Sequence, residues 1–421
     1  MAGGAKMEYG LIGGVLGHSF SKPIHEMLAE YSYILCPLPT VAEFDAFMAK
    51  KDFKAINVTI PYKEKVLAYC DYIEPQAAEI GAVNTIVNKN GKLYGYNTDF
   101  KGLYYLMCSL GVDIADKHVM ILGTGGTQKT AEAVARAMGA GRITAVSRHK
   151  SDIAIDYAEA CAIADTEIII NTSPVGMYPN CDASPISLDN FPHLCGVVDV
   201  VYNPLTTALV ADARARGIKA VNGLLMLVAQ AKFASEYFTG NTIDNAEINK
   251  IELALRRERA NLVLIGMPSC GKSSLGKMLA KTLGKKFVDL DAEVEKAESM
   301  PISQIFAEKG EEYFRDAETR AVKKAAMQNG MVIATGGGAV KRGENVRALR
   351  QNGVIVYIKR DITALAIGGA RPLSTNEAAL LQMQKEREPL YKAAADGETD
   401  NVNMDDTALA IEEIYYEILH N

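Results

Sequence analysis

No apolar run in these 421 residues approaches the roughly 20 that a helical bilayer span needs. Met1–Gly10 also lacks the apolar segment of a secretory leader. The seven cysteines, at 36, 70, 108, 161, 181, 195 and 270, never form a C-x-x-C pair. Odd in number and scattered, they indicate neither a disulfide framework nor a zinc site, and they suit reduced thiols. A charge bias is missing too: 45 Lys and Arg against 51 Asp and Glu leave a net charge of −6, which offers no general attraction to nucleic acid or a membrane surface. No solenoid period or low-complexity tract is visible. What remains is a globular composition, 48% hydrophobic and 23% charged, on a chain too long for one ordinary core. The expectation is a cytoplasmic protein of several domains whose partners are small molecules.

The most specific stretch lies past the middle. Leu262–Ile265 is a short buried-strand pattern, and Gly266-x-x-x-x-Gly271-Lys272-Ser273 follows at once, ahead of a helical run from Leu275 to Leu283. That is the strand, loop and helix context of a phosphate-binding loop. Its glycines let several backbone N–H groups face one phosphate, and the helix N-terminus adds partial positive charge. Gly266, Ser269, Cys270, Gly271, Lys272, Ser273 and Ser274 are therefore candidate ATP contacts, with Lys272 on the β- and γ-phosphates and Ser273 on Mg²⁺. Cys270 stands where a small residue is usual.

Toward the N-terminus, Tyr9–Ile12 reads as a strand running into Gly13, Gly14 and Gly17, then His18-Ser-Phe-Ser-Lys-Pro-Ile-His25 before an amphipathic helix. Ser21 suits capping that helix at least as well as binding a polyol. Ala55–Ile60 reads as a strand and Glu64–Tyr69 as a helix. Asn57-Val-Thr59-Ile-Pro-Tyr-Lys63, Gly81-Ala-Val-Asn84-Thr85 and Gly95-Tyr-Asn97-Thr98-Asp99 each put polar side chains at the end of an extended stretch, where they point into a cleft.

These blocks, with Gly17-His-Ser-Phe-Ser21, resemble the shikimate dehydrogenase family. The resemblance implies that Lys63 and Asp99 form the catalytic pair and that Ser19, Ser21, Thr59, Asn84 and Asp99 bind the substrate hydroxyls and carboxylate. An ammonium beside a carboxylate is chemically apt, because hydride delivery to a ketone needs a proton donor at the forming alkoxide. Two departures touch the substrate-side loops: Lys22 intervenes before Pro23, and the stretch between Tyr31 and Ala55 is short.

His118–Leu122 is a buried-strand pattern followed by Gly123-Thr124-Gly125-Gly126-Thr127-Gln128 and a helical run Lys129–Met138. Gln128 replaces the third fingerprint glycine, so the motif alone is a weak dinucleotide signal. The second strand, Arg142–Val146, ends in Ser147-Arg148-His149-Lys150, where an NAD-binding domain would carry an acid for the ribose 2′-hydroxyl. Basic residues there favour a 2′-phosphate and hence NADP; a solvated basic turn is the alternative. Further strands at Glu167–Asn171 and Gly196–Val201 continue an alternation that suits a doubly wound sheet. Similarity to shikimate dehydrogenase persists through Asn171-Thr-Ser-Pro-Val-Gly176, Asp199-Val-Val-Tyr-Asn-Pro204 and Asn222–Gln230. It implies Tyr202 and Gln230 at the substrate, with Val200 and Gly223 near the nicotinamide.

Asn241–Ala260 has a charged, helical character without linker composition, and its arginines suit a solvated helix face better than a phosphate site. After the phosphate loop, Lys286–Asp291 reads as a strand with Asp289 and Asp291 on one face, at i and i+2. Gly310-Glu-Glu-Tyr-Phe-Arg315-Asp-Ala-Glu318 puts an arginine on a helix, and Val332–Gly338 ends a strand in a glycine turn. Arg371-Pro-Leu and Arg387-Glu-Pro-Leu-Tyr391 follow. From Asn261 onward the chain resembles shikimate kinase. That resemblance implies Asp291 on the reacting hydroxyl and Asp289 with Ser273 at Mg²⁺. It further implies Arg315, Gly336, Gly337, Gly338 and Arg387 at the substrate, and Arg371 as a lid arginine over ATP.

The expected architecture is α/β: a substrate domain over 1–110 closed by helices from 223–240, a Rossmann NADP domain over 111–240, a connector over 241–260, and a P-loop kinase domain with a parallel sheet over 261–421. The two resemblances concern consecutive reactions: NADPH-dependent reduction of 3-dehydroshikimate, then ATP- and Mg²⁺-dependent phosphorylation of shikimate. Two alternatives are a quinate-active dehydrogenase half and a nucleotide-sensing, non-catalytic P-loop half.

Overall fold

The computed structural model describes residues 7–17, 20–365 and 377–420; Ser19 and Arg371 lie outside them. The chain divides into two compact units, Met1–Asn203 with Thr207–Glu252, and Pro204–Thr206 with Leu253–Asn421.

The first unit holds two sheets. One comprises β1 (Tyr9–Gly13), β2 (Tyr33–Pro37), β3 (Ala55–Val58), β4 (Tyr72–Ile73), β5 (Thr85–Lys89) and β6 (Lys92–Tyr96), in spatial order β2-β1-β3-β5-β6-β4. β1 runs parallel to β2 and β3, whereas β5 is antiparallel to β3 and β6. Asn90 and Gly91 make the two-residue β5–β6 hairpin, both at positive φ, as such a turn requires. Ile12, Phe44, Ile56, Val58, Ile86 and Leu93 pack as one core. The helix expected over Glu64–Tyr69 is a 3₁₀ helix at Lys65–Tyr69, tightened between two strands. Ser21 does not cap its helix: the helix starts at Ser21 itself, with Phe20 as N-cap and no side-chain cap bond.

The other sheet contains β7 (His118–Leu122), β8 (Arg142–Ser147), β9 (Ile155–Asp156), β10 (Ile168–Asn171), β11 (Gly196–Asp199) and β12 (Lys219–Val221), ordered β12-β11-β10-β7-β8-β9 and parallel throughout. Every residue of β7 is buried, as a central parallel strand covered on both faces demands. Strand order reverses beside β7, which opens a crevice at the C-terminal strand ends. Helix Leu224–Thr239 returns to pack on helix Thr98–Ser109. The approach is close enough that a Cβ on Gly102 would lie 2.8 Å from the Met226 carbonyl oxygen.

The second unit is built on β13 (Asn261–Ile265), β14 (Lys286–Asp289), β15 (Met331–Ala334), β16 (Gly353–Lys359) and β17 (Gly397–Asp400), a parallel sheet ordered β14-β15-β13-β16-β17. β13 is buried along its whole length. The following helix begins at Lys272, immediately after Gly271 at φ 103°, so the phosphate loop runs straight into it. Asp291 departs from the expected strand. β14 ends at Asp289, which N-caps helix Leu290–Glu298, and Asp291 sits in that helix's first turn. The connector is helical over Ala246–Arg259. Its arginines are not the solvated face expected, since Arg256 donates to the Leu419 carbonyl at 3.1 Å and Arg257 lies over the Tyr416 ring. No helix among the described residues is long and apolar enough to cross a membrane.

Candidate active sites

In the first unit a cavity of about 650 Å³ lies between the two sheets and is lined by Ser21, Thr59, Lys63, Asn84, Asp99, Tyr202 and Gln230, together with Thr127, Val200 and Gly223. Residues drawn from distant blocks of the sequence are thus brought to one cleft. Lys63 follows β3, held by its own carbonyl accepting from Val83 N–H and by the buried Tyr62, whose hydroxyl donates to the Leu38 carbonyl. Its Nζ lies 2.6 Å from Asp99 Oδ2. Asp99 occupies the first turn of helix Thr98–Ser109, capped by Asn97.

Asn84 is oriented by its neighbours. Its Oδ1 accepts from Thr98 N–H at 2.8 Å and from the Thr85 and Thr98 hydroxyls at 3.0 and 3.2 Å. With the oxygen so engaged, the amide NH₂ is the end left to serve a ligand. Asn57, also on the cleft wall, was not singled out from sequence although it stands inside the Lys63 motif. It accepts from the Tyr33 hydroxyl at 2.7 Å and donates to the Asn84 carbonyl and Thr85 hydroxyl. Only those partners distinguish a strut from an ordinary strand asparagine.

Behind Asn57, His25 is fully buried, stacked on Tyr33 and 2.7 Å from the Tyr31 hydroxyl through Nδ1. Burial pushes its imidazole down to about 3, with Asn57 acting weakly the other way. The folded form therefore keeps His25 neutral while the unfolded chain takes up a proton below about 6.5. Its contribution is complete above that pH and falls by about 1.4 kcal/mol per pH unit as the pH drops toward 3. Thermal midpoints of wild type and His25→Phe, compared between neutral and mildly acidic pH, should converge as the pH falls; a constant gap would assign the acid sensitivity elsewhere.

At the dinucleotide end, Gly123 is at φ 109°, and a Cβ there would lie 2.9 Å from the Thr172 hydroxyl. Gly125 and Gly126 face open space at the start of helix Gly126–Ala137, and Gly125 supplies no side-chain cap. Those features fit a pyrophosphate on the helix N-terminus. At Val200 the backbone approaches so closely that a Cβ on Gly223 would be 2.0 Å from its carbonyl oxygen. Of the basic turn after β8, Lys150 is paired with Glu159 and the Ser147 hydroxyl with the His149 carbonyl. Arg148 is exposed and makes no hydrogen bond or ion pair among the described residues.

In the second unit a cavity of about 460 Å³ is lined by Ser269, Gly271, Lys272, Ser273, Ser274, Asp291, Arg315, Gly336, Gly337, Gly338 and Arg387. Lys272 Nζ donates to the Gly266 and Met267 carbonyls, both at 2.9 Å, within its own loop. Cys270 is fully buried with Sγ turned inward, so its side chain does not line the cavity. The Ser273 hydroxyl lies 2.5 Å from Asp289 Oδ2, a hard oxygen pair that fits one side of a Mg²⁺ shell completed by phosphate and water. Asp289 Oδ1 accepts from Asp291 N–H, which fixes the first turn carrying Asp291.

Helix Ile302–Ala326 breaks at Gly310, and Arg315 lies just beyond the break. Arg315 is ion-paired to Glu311 at 3.1 Å and to Glu318 at 2.7 Å. Glu318 is a functional candidate that sequence reasoning passed over; its i+3 spacing from Arg315 on a helix was the available signal. It is 1% exposed, lines the cavity, and has Oε1 without a hydrogen-bond partner. Burial raises its carboxyl above the usual range, opposed by the Arg315 and Arg387 charges. The glycine turn is closed from three directions. A Cβ on Gly336 would lie 2.6 Å from both Asp291 Oδ1 and Glu318 Oε1, one on Gly337 2.8 Å from Pro268, and one on Gly338 2.3 Å from Arg315. The Tyr391 hydroxyl donates to the Gly337 carbonyl at 2.5 Å.

Comparison with known proteins agrees with this division. Residues 11–86 match the model of the shikimate dehydrogenase substrate binding domain, and residues 268–421 match that of shikimate kinase. A shikimate dehydrogenase (NADP(+)) of Clostridium perfringens strain 13 is 37% identical over 266 residues, spanning 58% of this chain and 96% of its own length. Shikimate dehydrogenase 1 of Peptoclostridium difficile superposes with a TM-score of 0.54 at 35% identity, covering 59% of this chain and 97% of that one. The shikimate 5-dehydrogenase of Thermus thermophilus, solved in complex with NADP(H) and shikimate, superposes with a TM-score of 0.54 at 27% identity over 60% and 99% of the two chains.

Proposed function

Because the chain belongs to the shikimate dehydrogenase family over its N-terminal part and carries a shikimate kinase domain over 268–421, we propose that it reduces 3-dehydroshikimate to shikimate and then phosphorylates that product. The observation that carries this is the pairing itself: both matched families act on one polyol, the first cleft offering an ammonium–carboxylate pair with side-chain amides and hydroxyls and the second carboxylates with guanidinium groups.

In the first cleft Lys63 Nζ gives its proton to the substrate ketone oxygen while Asp99 holds the ammonium in line. Asn84, Thr59, Ser21, Gln230 and Tyr202 bind and orient the hydroxyls and carboxylate, with Ser19 as a further ligand. NADPH, when bound, supplies the hydride. Gly123, Thr124, Gly125, Gly126 and Thr127 cradle its pyrophosphate, with Val200 and Gly223 beside the nicotinamide. Arg148 is the ligand of the 2′-phosphate, since Glu159 occupies Lys150. Arg148→Ala should therefore raise KM for NADPH by roughly 10- to 100-fold, the size of a lost charge-assisted hydrogen bond, and leave kcat/KM with NADH unchanged. Equal losses with both cofactors would reassign the 2′-phosphate.

In the second cleft Lys272 and the loop amides hold the nucleotide phosphates, and Ser273 with Asp289 hold Mg²⁺, which supplies charge neutralisation when bound. Asp291 takes the proton of the attacking hydroxyl. Arg315 and Arg387 grip the substrate carboxylate in the fork geometry guanidinium allows, Gly336–Gly338 bring backbone to it, and Arg371 is a further nucleotide ligand.

The test is one incubation with 3-dehydroshikimate, NADPH, ATP and Mg²⁺, following NADPH loss and shikimate 3-phosphate together. Reduction without phosphate ester would leave the second unit as a nucleotide sensor, and preference for quinate over shikimate would reassign the first.

A further inference from the structure

Among the described residues four cations face the second-unit cavity: Lys272, Arg315, Arg360 and Arg387. Three are already engaged by the protein. Lys272 is held by two loop carbonyls, Arg315 by Glu311 and Glu318, and Arg387 by the Tyr391 hydroxyl. Arg360 differs. It is half-buried on the cavity wall and makes no hydrogen bond or ion pair among the described residues. A partly exposed guanidinium at a cavity wall, with no protein partner holding it, is available to an anion bound there.

Sheet order says which anion. Most groups that serve the phosphate acceptor stand on one side of β13: Asp291 after β14, the glycine turn after β15, and Arg315 on the helix between them; Arg387 is the exception, carried by helix Glu377–Ala394 after β16. Arg360 directly follows β16, on the opposite side of β13. There the β16 backbone abuts the phosphate loop, since a Cβ on Gly266 would lie 2.5 Å from the Ile358 carbonyl oxygen. Asn401, after β17, donates to the Cys270 carbonyl at 2.7 Å and so secures the loop from that same side. Arg360 thus comes off a rigid strand end beside the phosphate loop and away from the acceptor.

We infer that Arg360 is a nucleotide-binding residue that contacts the polyphosphate of ATP and ADP from the strand framework, independently of the lid arginine. The inference rests on the kinase reading for the identity of the nucleotide. Arg360→Gln should weaken ADP binding by about 10-fold or more, the range of a charge-assisted contact, with adenosine binding and KM for shikimate each within about twofold of wild type. Arg360→Lys, which keeps the charge but not the fork, should fall between. Unchanged ADP affinity in Arg360→Gln, an equal loss toward adenosine, or a rise confined to KM for shikimate would each overturn the assignment. Thermal midpoints of both variants identify a folding defect, and Arg360→Lys then supplies the ADP comparison. Absence of shikimate-dependent ADP release by the unaltered chain would remove the kinase reading, while the ADP titrations would still decide Arg360.

Discussion

Lys63→Ala should lower kcat for 3-dehydroshikimate reduction by roughly 10²- to 10⁴-fold, the usual contribution of a positioned proton donor. The 2.6 Å contact with Asp99 is the reason for so large an effect. No other ammonium or imidazole lines the cleft among the described residues. NADPH affinity should stay near wild type, because Lys63 belongs to the first sheet whereas the proposed cofactor contacts come from loops around β7 and β8. Removing the ammonium also leaves Asp99 without its ion-pair partner, so a modest fall in thermal midpoint should accompany the lost turnover. Initial rates and NADPH titrations on the same preparation separate the two effects. Near-normal turnover would refute the assignment of Lys63.

Asp291→Asn should abolish shikimate phosphorylation, with a loss of roughly 10²- to 10⁴-fold, and leave dehydrogenation untouched. Asparagine preserves the size of the side chain and its place in the first helical turn, and Asp289 still accepts from its backbone N–H. What it cannot do is accept the proton of the attacking hydroxyl. ADP binding should survive, since the phosphate loop is built from residues 266–274. Parallel loss of both activities would count against two independent sites.

The parts of the fold that read clearly in the sequence are those where local pattern and tertiary role coincide. Leu262–Ile265 and His118–Leu122 are continuous apolar runs because central parallel strands are buried on both faces. Legibility ends where a residue's role depends on a partner distant in sequence. Asp289 and Asp291 suggest one face of one strand, yet Asp289 is also a good N-cap, and the helix it starts overrode the alternation. Lys150 suggests a phosphate ligand until Glu159, nine positions on, is brought against it. Ser21 suggests a cap, but the chain enters that helix one residue early and leaves its side chain facing the cleft. Asn57 and Glu318 are defined by Tyr33 and by the Gly336 turn, respectively, and neither contact has a one-dimensional signature.

The closure of the glycine turn limits how this cleft can evolve. A side chain at 336 or 338 would have to displace the Asp291 and Glu318 carboxylates or the Arg315 guanidinium, groups given a place in this cleft, and one at 337 would meet the less yielding phosphate-loop Pro268. Relief comes at the expense of those groups' positions, so a change in the turn disturbs the cleft where a change in its apolar wall does not. Among the described residues the wall is apolar and adjustable at Ile302, Phe306, Phe314 and Met383, and acceptor specificity can drift there. Laboratory selection for phosphorylation of altered polyols should accumulate its changes at those four positions and none in the turn.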